Sequence, residues 1–428
     1  MDNDPVYIVD GARTPFIKAR GEPGPFSPVD LAVQCGRPLL LRQPFEPDAF
    51  DEVILGCVNV VADEMNPARV AALRLGMGMQ MTAYTVQINC GSGMQSIDSG
   101  YRNIREGKSE LVLAGGAESL SHSPLVFSRD AVEWFAELNG AKSPVAKLQA
   151  AADVRPGYFK PIIGLERGLT DPIVELNMGQ TAEVVAHLFD VTREEADAYA
   201  VESHHRLARA QDEGWLDGEV EPMFDRSGKV HPLDDGVRRD SSVDRLAKLK
   251  PAFERPWGQV TAGNSSQITD GASWVILASE KAVRDHGLTP KAVIRDSAWS
   301  ALDPSIMGLG PVLCATKILD RNGMNLDDIE LWELNEAFAA QVLGCLRAFD
   351  DADFCRRVLG KDKAMGRIDR DRLNVDGGAV SLGHPVGASG NRIVLHLVNA
   401  MHRLGHKVGI ATECIGGGQG GAMLVEAA

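Results

Sequence analysis

The sequence predicts an α/β fold made of two similar halves and an inserted segment. Apolar runs typical of buried strands alternate with stretches of helical apolar spacing, which indicates strands and helices packed in layers. The later part of the 428-residue chain repeats the earlier part with a drifting offset. Between about 122 and 255 this alternation stops, and polar helices alternate with irregular stretches that contain proline and glycine. We therefore expect two halves that pack face to face, with an insertion laid over them.

The first half begins with a predicted strand over 6–10 and a loop over 11–15 that ends it. Apolar spacing then predicts a helix over 26–41, a buried strand over 51–56, a helix from about 67 to 75, a unit of strand, turn and helix around Cys90, and a strand over 110–116. Inside the insertion, Thr192-Arg193-Glu194-Glu195 is a capping box that begins a helix over 192–213. Regular patterning resumes over 262–278.

The repeat relates strands and a glycine-rich turn of the two halves. The run 292–296 resembles the first strand, and 326–332 resembles 50–56, an offset of 326 minus 50, or 276. Residues 408–412 resemble 111–115, and a glycine-rich turn feeds a helix at 383–398. If the halves pack face to face, their glycine-rich turns meet at the pseudo-twofold axis, where pockets form. The predicted divisions are 1–121 for the first part of the N-terminal half, 122–255 for the insertion, 256–288 for the completion of that half, and 289–428 for the C-terminal half.

Composition excludes several classes of protein. Of the residues, 44% are hydrophobic and 24% charged, as in globular proteins. No apolar run approaches the roughly 18 residues of a membrane span, and residues 1–5 have no signal-peptide features. The seven cysteines, at positions 35, 57, 90, 314, 345, 355 and 414, show no metal-binding spacing, so we expect free thiols, a cytoplasmic location and no metal. The net charge of −15 argues against a nucleic acid partner.

Cys90 ends an apolar alternating run, and Gly91, Ser92 and Gly93 follow it. Helical spacing begins at Met94, so the cysteine is expected at a helix N-terminus, where free N–H groups favour negative charge. Such a position can lower a thiol pKa from about 8.5 into roughly the 3.5–7.5 range, which predicts a thiolate nucleophile. The alternative is a buried structural cysteine beside a glycine turn.

Three further residues lie at predicted strand ends or turns. His384 precedes a proline between glycines, so its imidazole is held on a loop. Cys414 ends a strand before Gly416-Gly417-Gly418, whose N–H groups can bind an anion. Asn335 also follows a strand. The alternatives are an ordinary loop histidine, a glycine-rich hairpin, and an asparagine that only caps a helix.

Taken together, these segments resemble the thiolase family in motif and in order, over essentially the whole chain. The matching blocks are Cys90 with 91–93, then 114–119, 178–183, 249–253, 261–266, 335–338, 383–385 and 414–418. The resemblance implies the thiolase fold, with two βαβαβαββ-type halves in α/β/α/β/α layers and a loop domain that covers the coenzyme A (CoA) site. It also implies an acyltransferase that uses CoA as a substrate and keeps no permanently bound cofactor.

The resemblance further implies a role for each site residue. Cys90, deprotonated by His384, attacks the 3-keto carbon, and Cys414 protonates the acetyl-CoA enolate that leaves; CoA then takes the acyl group from Cys90. One oxyanion hole is implied to be His384 with a water held by Asn335, and the other the N–H groups of Cys90 and Gly416. A cysteine nucleophile suits this reversible exchange because its acyl intermediate is itself a thioester. Proton removal beside a thioester needs a base and donors aimed at the oxyanion.

The acidic chain must attract the phosphates of CoA locally. Between 238 and 255 lie six basic residues and three acidic ones. Charge alone would fit a solvated loop, but the family covers its CoA site with this insertion. By similarity, Arg238 contacts the adenosine phosphate, Ser266 the pantetheine, and Met178 the acyl group. Ala337 and Phe338, in a matching block, complete the predicted substrate contacts.

We expect a 3-ketoacyl-CoA thiolase of β-oxidation type, with acetoacetyl-CoA synthesis from two acetyl-CoA as the alternative. Asn177 replaces the histidine of many short-chain biosynthetic thiolases, and the segment 347–370 is longer than theirs and similar to that of fatty-acid oxidation complex partners. Chain-length preference therefore stays open. A cysteine hydrolase would explain neither Cys414 nor the basic insertion, and a silent complex subunit would not need all three catalytic residues. A homodimer or homotetramer is implied, with a possible fatty-acid oxidation complex partner.

Overall fold

The structure is a computed structural model that describes residues 5–428. The strands are β1 (Val6–Arg13), β2 (Ile17–Lys18), β3 (Glu52–Gly56), β4 (Thr82–Val86), β5 (Leu111–Ser119), β6 (Leu125–Val126), β7 (Ile162–Ile163), β8 (Met223–Phe224), β9 (Val230–His231), β10 (Thr269–Ser279), β11 (Ala292–Ala301), β12 (Leu331–Leu334), β13 (Val408–Ile415) and β14 (Gln419–Ala427).

The helices are α1 (Pro28–Leu41), α2 (Pro67–Arg74), α3 (Ser92–Arg105), α4 (Arg129–Gly140), α5 (Pro144–Ala152), α6 (Gly164–Gly168), α7 (Met178–Leu188), α8 (Arg193–Asp212), α9 (Val243–Leu246), α10 (Glu280–His286), α11 (Gly310–Asn322), α12 (Ala339–Asp350), α13 (Ala352–Val358), α14 (Ala379–Leu382) and α15 (Val386–Leu404). No helix among residues 5–428 has both the length and the apolar character to cross a membrane.

The predicted duplication is visible in the main sheet, whose strand order is β12-β13-β14-β11-β1-β10-β5-β3-β4, with β2 paired to β10. The halves join where β1 and β11 pair, Val6 opposite Ile294 and Ile8 opposite Ala292. Outward from this join, β10, β5 and β3 follow on one side, and β14, β13 and β12 on the other. In both halves the first two pairings outward from the join are antiparallel, and the third, β5 with β3 or β13 with β12, is parallel. The two halves therefore share one topology.

The three largest apolar cores of the described residues separate five layers. One core packs α1 and α2 against the first half of the sheet. A second core packs α11 and α12, together with α7 from the insertion, against the other half of the sheet. The third core lies between the halves and contains the apolar faces of α3 and α15. This is the predicted α/β/α/β/α arrangement.

The two central helices approach each other backbone to backbone. A Cβ added to Gly93 of α3 would lie 2.6 Å from the Asn391 nitrogen, and one added to Gly390 of α15 would lie 2.6 Å from the Met94 nitrogen. Since 390 minus 93 and 391 minus 94 are both 297, the two contacts are related by the pseudo-twofold axis. Glycine is required at both positions because any side chain would push the helices apart.

Two sequence predictions need correction. The strand β1 does not end at residue 10, because Ala12 and Arg13 still pair with Trp274 and Ser273 of the long strand β10. The repeat offset of 276 is also too small. A 3₁₀ turn at Pro47–Ala49 precedes β3, and one at Leu326–Asp328 precedes β12, an offset of 326 minus 47, or 279. The similar acidic and apolar residues of the two runs had favoured an alignment three residues away.

Arg13 attaches the insertion to the sheet by buried ion pairs. Its guanidinium lies 2.8 Å from Glu219 and 2.7 Å from Asp234, and all three side chains are almost fully buried. Asp234 Oδ1 also accepts a hydrogen bond from the Phe16 nitrogen at 2.7 Å. A buried carboxylate that loses its cation costs free energy, because water cannot reach it.

We predict that Arg13→Met lowers the free energy of unfolding by about 3–5 kcal/mol, because Asp234 is left without a cation in a buried place. Urea denaturation followed by circular dichroism measures this. The matched control is Arg20→Met, which removes the exposed pair of Arg20 with Asp235 and should change stability by no more than about 1 kcal/mol. Equal effects of the two substitutions would contradict the prediction.

Candidate active site

The three turns that carry Cys90, His384 and Cys414 line one cavity of about 370 Å³. Five other residues named from the sequence line the same cavity: Met178, Ser266, Ala337, Phe338 and Gly416. The cavity therefore combines residues of both halves with residues of the insertion, although Cys90 and His384 are far apart in sequence.

The Cys90 turn has the predicted shape and is tied to the other half. β4 ends at Val86 and α3 begins at Ser92. The Ser92 hydroxyl accepts a hydrogen bond from the Ile88 nitrogen at 2.9 Å and donates one to the Asn89 oxygen at 2.7 Å. Asn89 has a φ of 45°, and its side-chain amide donates to the Gly416 carbonyl at 2.8 Å. The Cys90 and Gly416 turns are thus fixed to each other.

The predicted low thiol pKa at Cys90 is wrong. Burial raises the pKa of the Cys90 thiol to about 12, and the backbone N–H groups of Gly416 and of Cys90 itself only partly offset this. The negative charge of Glu413 raises it further. Position at a helix N-terminus did not decide the protonation state, because desolvation of the thiolate is the larger effect. Cys90 rests as a thiol, with two N–H groups directed at its sulfur.

His384 is a neutral imidazole with one defined tautomer. Burial, together with the charge of Arg392, lowers its pKa to about 4. Its Nδ1 lies 2.6 Å from the Ser389 hydroxyl, which itself donates to the Pro385 carbonyl at 3.2 Å. We assign the ring proton to Nδ1, since the hydroxyl proton is already used and its oxygen can accept. Nε2 is then an unprotonated base, and it is buried without a partner among the described residues.

Cys414 is the second thiol of the cavity, and it is buried. It is the penultimate residue of β13, and Gly417 and Gly418, with φ of 91° and 76°, turn the chain into β14. The predicted alternative of a glycine-rich hairpin is therefore the local structure, yet the hairpin also aims the Gly416 N–H at Cys90. Burial raises the pKa of Cys414 well above its usual range, and the neighbouring Cys90 and Cys345 add to this.

Asn335 is not a helix cap. β12 ends at Leu334, and α12 begins only at Ala339 with Phe338 as its cap. The Asn335 nitrogen donates to the Thr412 carbonyl at 2.9 Å, so the residue lies beside the strand that carries Cys414. Neither atom of its buried side-chain amide has a partner among residues 5–428. Asn335 is fully buried and does not line the cavity, whereas Ala337 and Phe338 of the same loop do.

Arg238 lines a second cavity of about 420 Å³ that adjoins the first. The two share walls, among them Met178, Ser266, Phe338 and His384. Two of the six basic residues of the predicted patch are in ion pairs, Arg239 with Asp212 and Arg245 with Asp240. Within the described chain no carboxylate lies within salt-bridge distance of the Arg238 guanidinium. Lys18 lines the same cavity, so this second cavity has two cationic side chains in its wall.

Sequence reasoning missed several residues of the site. Ser389 lies five residues after His384 and could have been found as a polar residue in the first turn of a buried helix. Asn89 and Lys18 carried no signal, because their partners come from distant segments. The segment 164–172, which lines much of the first cavity, lies in the irregular insertion, where no periodic pattern predicts position. No group of three or more potential ligands in residues 5–428 could hold a metal ion.

Comparisons with known proteins agree with this geometry. A family model described as "Thiolase, N-terminal domain" matches residues 6–281, and "Thiolase, C-terminal domain" matches 288–427. The chain is 36% identical over 423 residues to the mitochondrial trifunctional enzyme subunit beta of Bos taurus. The aligned region covers 99% of this chain and 88% of that protein.

Solved structures give the same result. The crystal structure of human mitochondrial 3-ketoacyl-CoA thiolase in complex with CoA is similar with a TM-score of 0.86 and 35% identity, over 99% of this chain and 98% of that one. The structure of acetyl-CoA acetyltransferase from Syntrophomonas wolfei is similar with a TM-score of 0.87 and 31% identity, over 100% of both chains. The chain therefore belongs to the thiolase family of acyltransferases.

Proposed function

We propose that this thiolase cleaves 3-ketoacyl-CoA with CoA, giving acetyl-CoA and an acyl-CoA shortened by two carbons. The observation that carries the proposal is the single cavity with the half-buried thiol of Cys90, the buried thiol of Cys414 and a neutral imidazole, joined to a second cavity with two cations. The similarity to a human 3-ketoacyl-CoA thiolase in complex with CoA supports it.

In the first half-reaction His384 Nε2 takes the proton of Cys90 as its sulfur attacks the 3-keto carbon. A base is needed because the resting thiol, with a pKa of about 12, holds its proton. The bond between C2 and C3 breaks, and acetyl-CoA leaves as an enolate. Cys414 donates its proton to the enolate carbon and becomes a thiolate, while the acyl group stays on Cys90.

In the second half-reaction the CoA thiol attacks the acyl group on Cys90 and gives its proton to the Cys414 thiolate. Cys90 leaves as its sulfur recovers the proton held by His384, so both thiols and the imidazole return to their first state. The raised pKa of Cys414 suits this exchange, since its thiolate is a strong base that is re-protonated readily.

Two groups of donors serve the two oxyanions in this mechanism. The N–H groups of Cys90 and Gly416 converge on the Cys90 sulfur, so they suit the oxygen of the carbon bonded to it. His384, protonated after it accepts the Cys90 proton, and a water held by the unpartnered Asn335 amide suit the enolate oxygen. Loss of one such donor typically lowers the rate by about 10²–10³-fold.

Acetoacetyl-CoA synthesis from two acetyl-CoA is the second candidate. The similarity to an acetyl-CoA acetyltransferase over the full chain favours it. The rate of condensation of acetyl-CoA alone, compared with the rate of cleavage of a longer 3-ketoacyl-CoA, distinguishes the two candidate functions. Amide hydrolysis without CoA would instead indicate a cysteine hydrolase, and no turnover a silent complex subunit.

We further propose a homodimer, or a homotetramer built from dimers, in the cytoplasm. The outer edge of β4 supports a second copy, because β4 ends the sheet and contains neither a charge nor a proline to block pairing. Seven free thiols support a reducing compartment. A partner subunit of a fatty-acid oxidation complex is suggested by the similarity to a trifunctional enzyme subunit.

We predict that Cys90→Ala forms no acyl-enzyme, whereas Cys414→Ala is still acylated at Cys90 but cannot complete carbon–carbon bond exchange. Intact-protein mass spectrometry after addition of acyl-CoA measures the added acyl mass. Cys35→Ala, a change at another buried thiol outside the cavity, is the control and should be acylated normally. An acylated Cys90→Ala protein would refute the assignment of the nucleophile.

We predict that Ser389→Ala lowers kcat by about 10²-fold with little change in KM, because the imidazole loses the partner that fixes its tautomer and orientation. Steady-state kinetics of the cleavage reaction measures kcat and KM separately. Ser381→Ala is the matched control, since Ser381 is equally buried on the adjacent helix but bonds to Ser203 and Gly378. An unchanged kcat in Ser389→Ala would show that this hydrogen bond does not serve catalysis.

We predict that Arg238→Ala raises the KM for CoA by about 10-fold or more, the value of one charge-assisted hydrogen bond, and leaves kcat unchanged. Arg239→Ala is the matched control, because that neighbour pairs with Asp212. If Arg238 binds the 3′-phosphate of CoA, dephospho-CoA should react equally well with wild type and variant. If Arg239→Ala raises the KM for CoA as much as Arg238→Ala does, the assignment of Arg238 to CoA binding is wrong.

A further inference from the structure

Glu118 is a fully buried carboxylate near the end of β5 that the two half-reactions do not use. Its Oε1 accepts a hydrogen bond from the Asn59 nitrogen at 2.8 Å. Its Oε2 accepts one from the Gly387 nitrogen at 2.9 Å and one from the Val58 nitrogen at 3.2 Å. All three donors are backbone N–H groups. One carboxylate therefore joins two separate segments of the chain, the loop that follows β3 and the first turn of α15.

The first of these segments is a wall of the reaction cavity. Val58 and Asn59 both line the cavity that contains the two thiols. The strand before them lies directly against α3, since a Cβ added to Gly56 would lie 2.5 Å from the carbonyl carbon of Ser92, the first residue of that helix. The carboxylate of Glu118 thus fixes a wall that begins beside the helix that follows the Cys90 turn.

The second segment carries the imidazole. α15 begins two residues after His384, and its N-cap, Pro385, makes no side-chain hydrogen bond to the helix. The free N–H groups at a helix start need acceptors, and Glu118 supplies one to Gly387. The approach is close, since a Cβ added to Gly387 would lie 3.0 Å from Glu118 Oε2 and 3.0 Å from the Cys57 Cα. The carboxylate is therefore a cap for α15 that comes from another strand.

Among residues 5–428, no lysine or arginine lies within salt-bridge distance of this carboxylate. The titratable groups on the elements around it are Cys57 and Glu64 from the segment after β3, Asp270 of β10, Cys90 before α3 and His384 before α15. None of them carries a positive charge at neutral pH. Burial raises the pKa of Glu118 to about 7, the three backbone donors oppose this rise, and the charge of Asp270 adds to it. Glu118 can therefore gain or lose its proton near neutral pH.

We propose that Glu118 is a positioning residue for the reaction: in its ionised form it holds the cavity wall at Val58 and Asn59 to the start of α15, and so keeps His384 in register with Cys90. In a protonated carboxyl group one oxygen donates a hydrogen bond, so at least one of the two segments loses its acceptor. The rate should therefore fall when this group is protonated. The inference rests on the proposed function, since Glu118 acts on it through His384.

The test is the pH dependence of kcat for wild type and Glu118→Gln, with acetoacetyl-CoA and 3-ketooctanoyl-CoA as substrates. Glutamine has the same shape, does not titrate, and has an amide nitrogen that cannot accept, so it mimics the protonated carboxyl at every pH. At about pH 8 we expect the variant to have a kcat lower by about 10- to 100-fold. At about pH 5.5 the wild-type kcat should fall to within about fourfold of the variant's, because both then lack the ionised acceptor. Titration of the substrate affects both enzymes equally and does not change the ratio of their kcat values.

Glu333→Gln is the matched control. Glu333 is almost equally buried, and burial raises its pKa to about 7 as well, but its carboxylate bonds to Arg392 and it lines neither cavity. This variant should keep the wild-type fall in kcat below about pH 7. If kcat of Glu118→Gln falls with pH as that of wild type does, or if the fall disappears only in Glu333→Gln, the assignment is wrong.

Thermal unfolding of wild type at each pH separates positioning from stability. The folded protein binds the Glu118 proton more tightly than the unfolded chain does, where the pKa has its ordinary value of 4.5. As the pH falls from about 7 towards 4.5, the contribution of this group to stability therefore rises. We expect kcat to fall over this range while the melting temperature does not. A melting temperature that falls in parallel with kcat would overturn the positioning role, and this measurement decides the question if Glu118→Gln does not fold.

The remaining outcomes distinguish this inference from the proposed function. A wild-type kcat that stays constant from about pH 8 to about pH 5.5 would overturn the role of Glu118 and leave the proposed function intact. Absence of turnover of both substrates at every pH would instead overturn the proposed function, and this inference with it.

Discussion

The close backbone contact between α3 and α15 is the constraint on which the rest of the site depends. Gly93 and Gly390 allow these helices to touch at their first turns. Cys90 lies just before one helix and His384 just before the other, so the contact brings both residues to the same place. A methyl group at either glycine would separate the helices and, with them, Cys90 from His384. The pseudo-twofold axis thus has a chemical consequence, since neither half alone contains a complete site.

A second contact fixes the remaining group of the site. Asn89 bonds to the Gly416 carbonyl, which locks the Cys90 turn to the hairpin that carries Cys414. Each half of the protein therefore supplies one thiol, and the loop between α14 and α15 supplies the imidazole. Burial then favours the neutral form of all three groups. It raises the pKa of both thiols and lowers the pKa of the His384 imidazole. The two thiols and the imidazole are therefore neutral at rest, and preorganised N–H donors stabilise charge most where it develops during a reaction.

The features that were predicted correctly from the sequence are those that depend on a local pattern of residues. Alternating and helical spacing were sufficient for the layers, for the turn at Cys90 and for the two similar halves. The motif resemblance identified some of the residues that line the cavity, among them Met178 and Ser266. Predictions failed where a long-range effect prevailed over a local one. The Cys90 pKa was set by desolvation rather than by its helix end, and β1 continued to Arg13 because a distant strand offered a partner. Ser389, Asn89 and Lys18 act through contacts that only the fold creates.

The insertion separates specificity from chemistry. The two halves carry Cys90, His384 and Cys414, whereas Arg238 and the segment 164–172 come from the insertion, where Arg238 lines the second cavity and the segment lines the first. One continuous segment thus contributes walls to both cavities. Buried ion pairs of Arg13 with Glu219 and Asp234 hold the insertion to the central sheet, so these contacts stay in register with the thiols. Loops on a rigid scaffold can change without loss of the reaction. Differences in specificity among such enzymes are therefore expected in the insertion and not in the paired helices, which cannot move without separating Cys90 from His384.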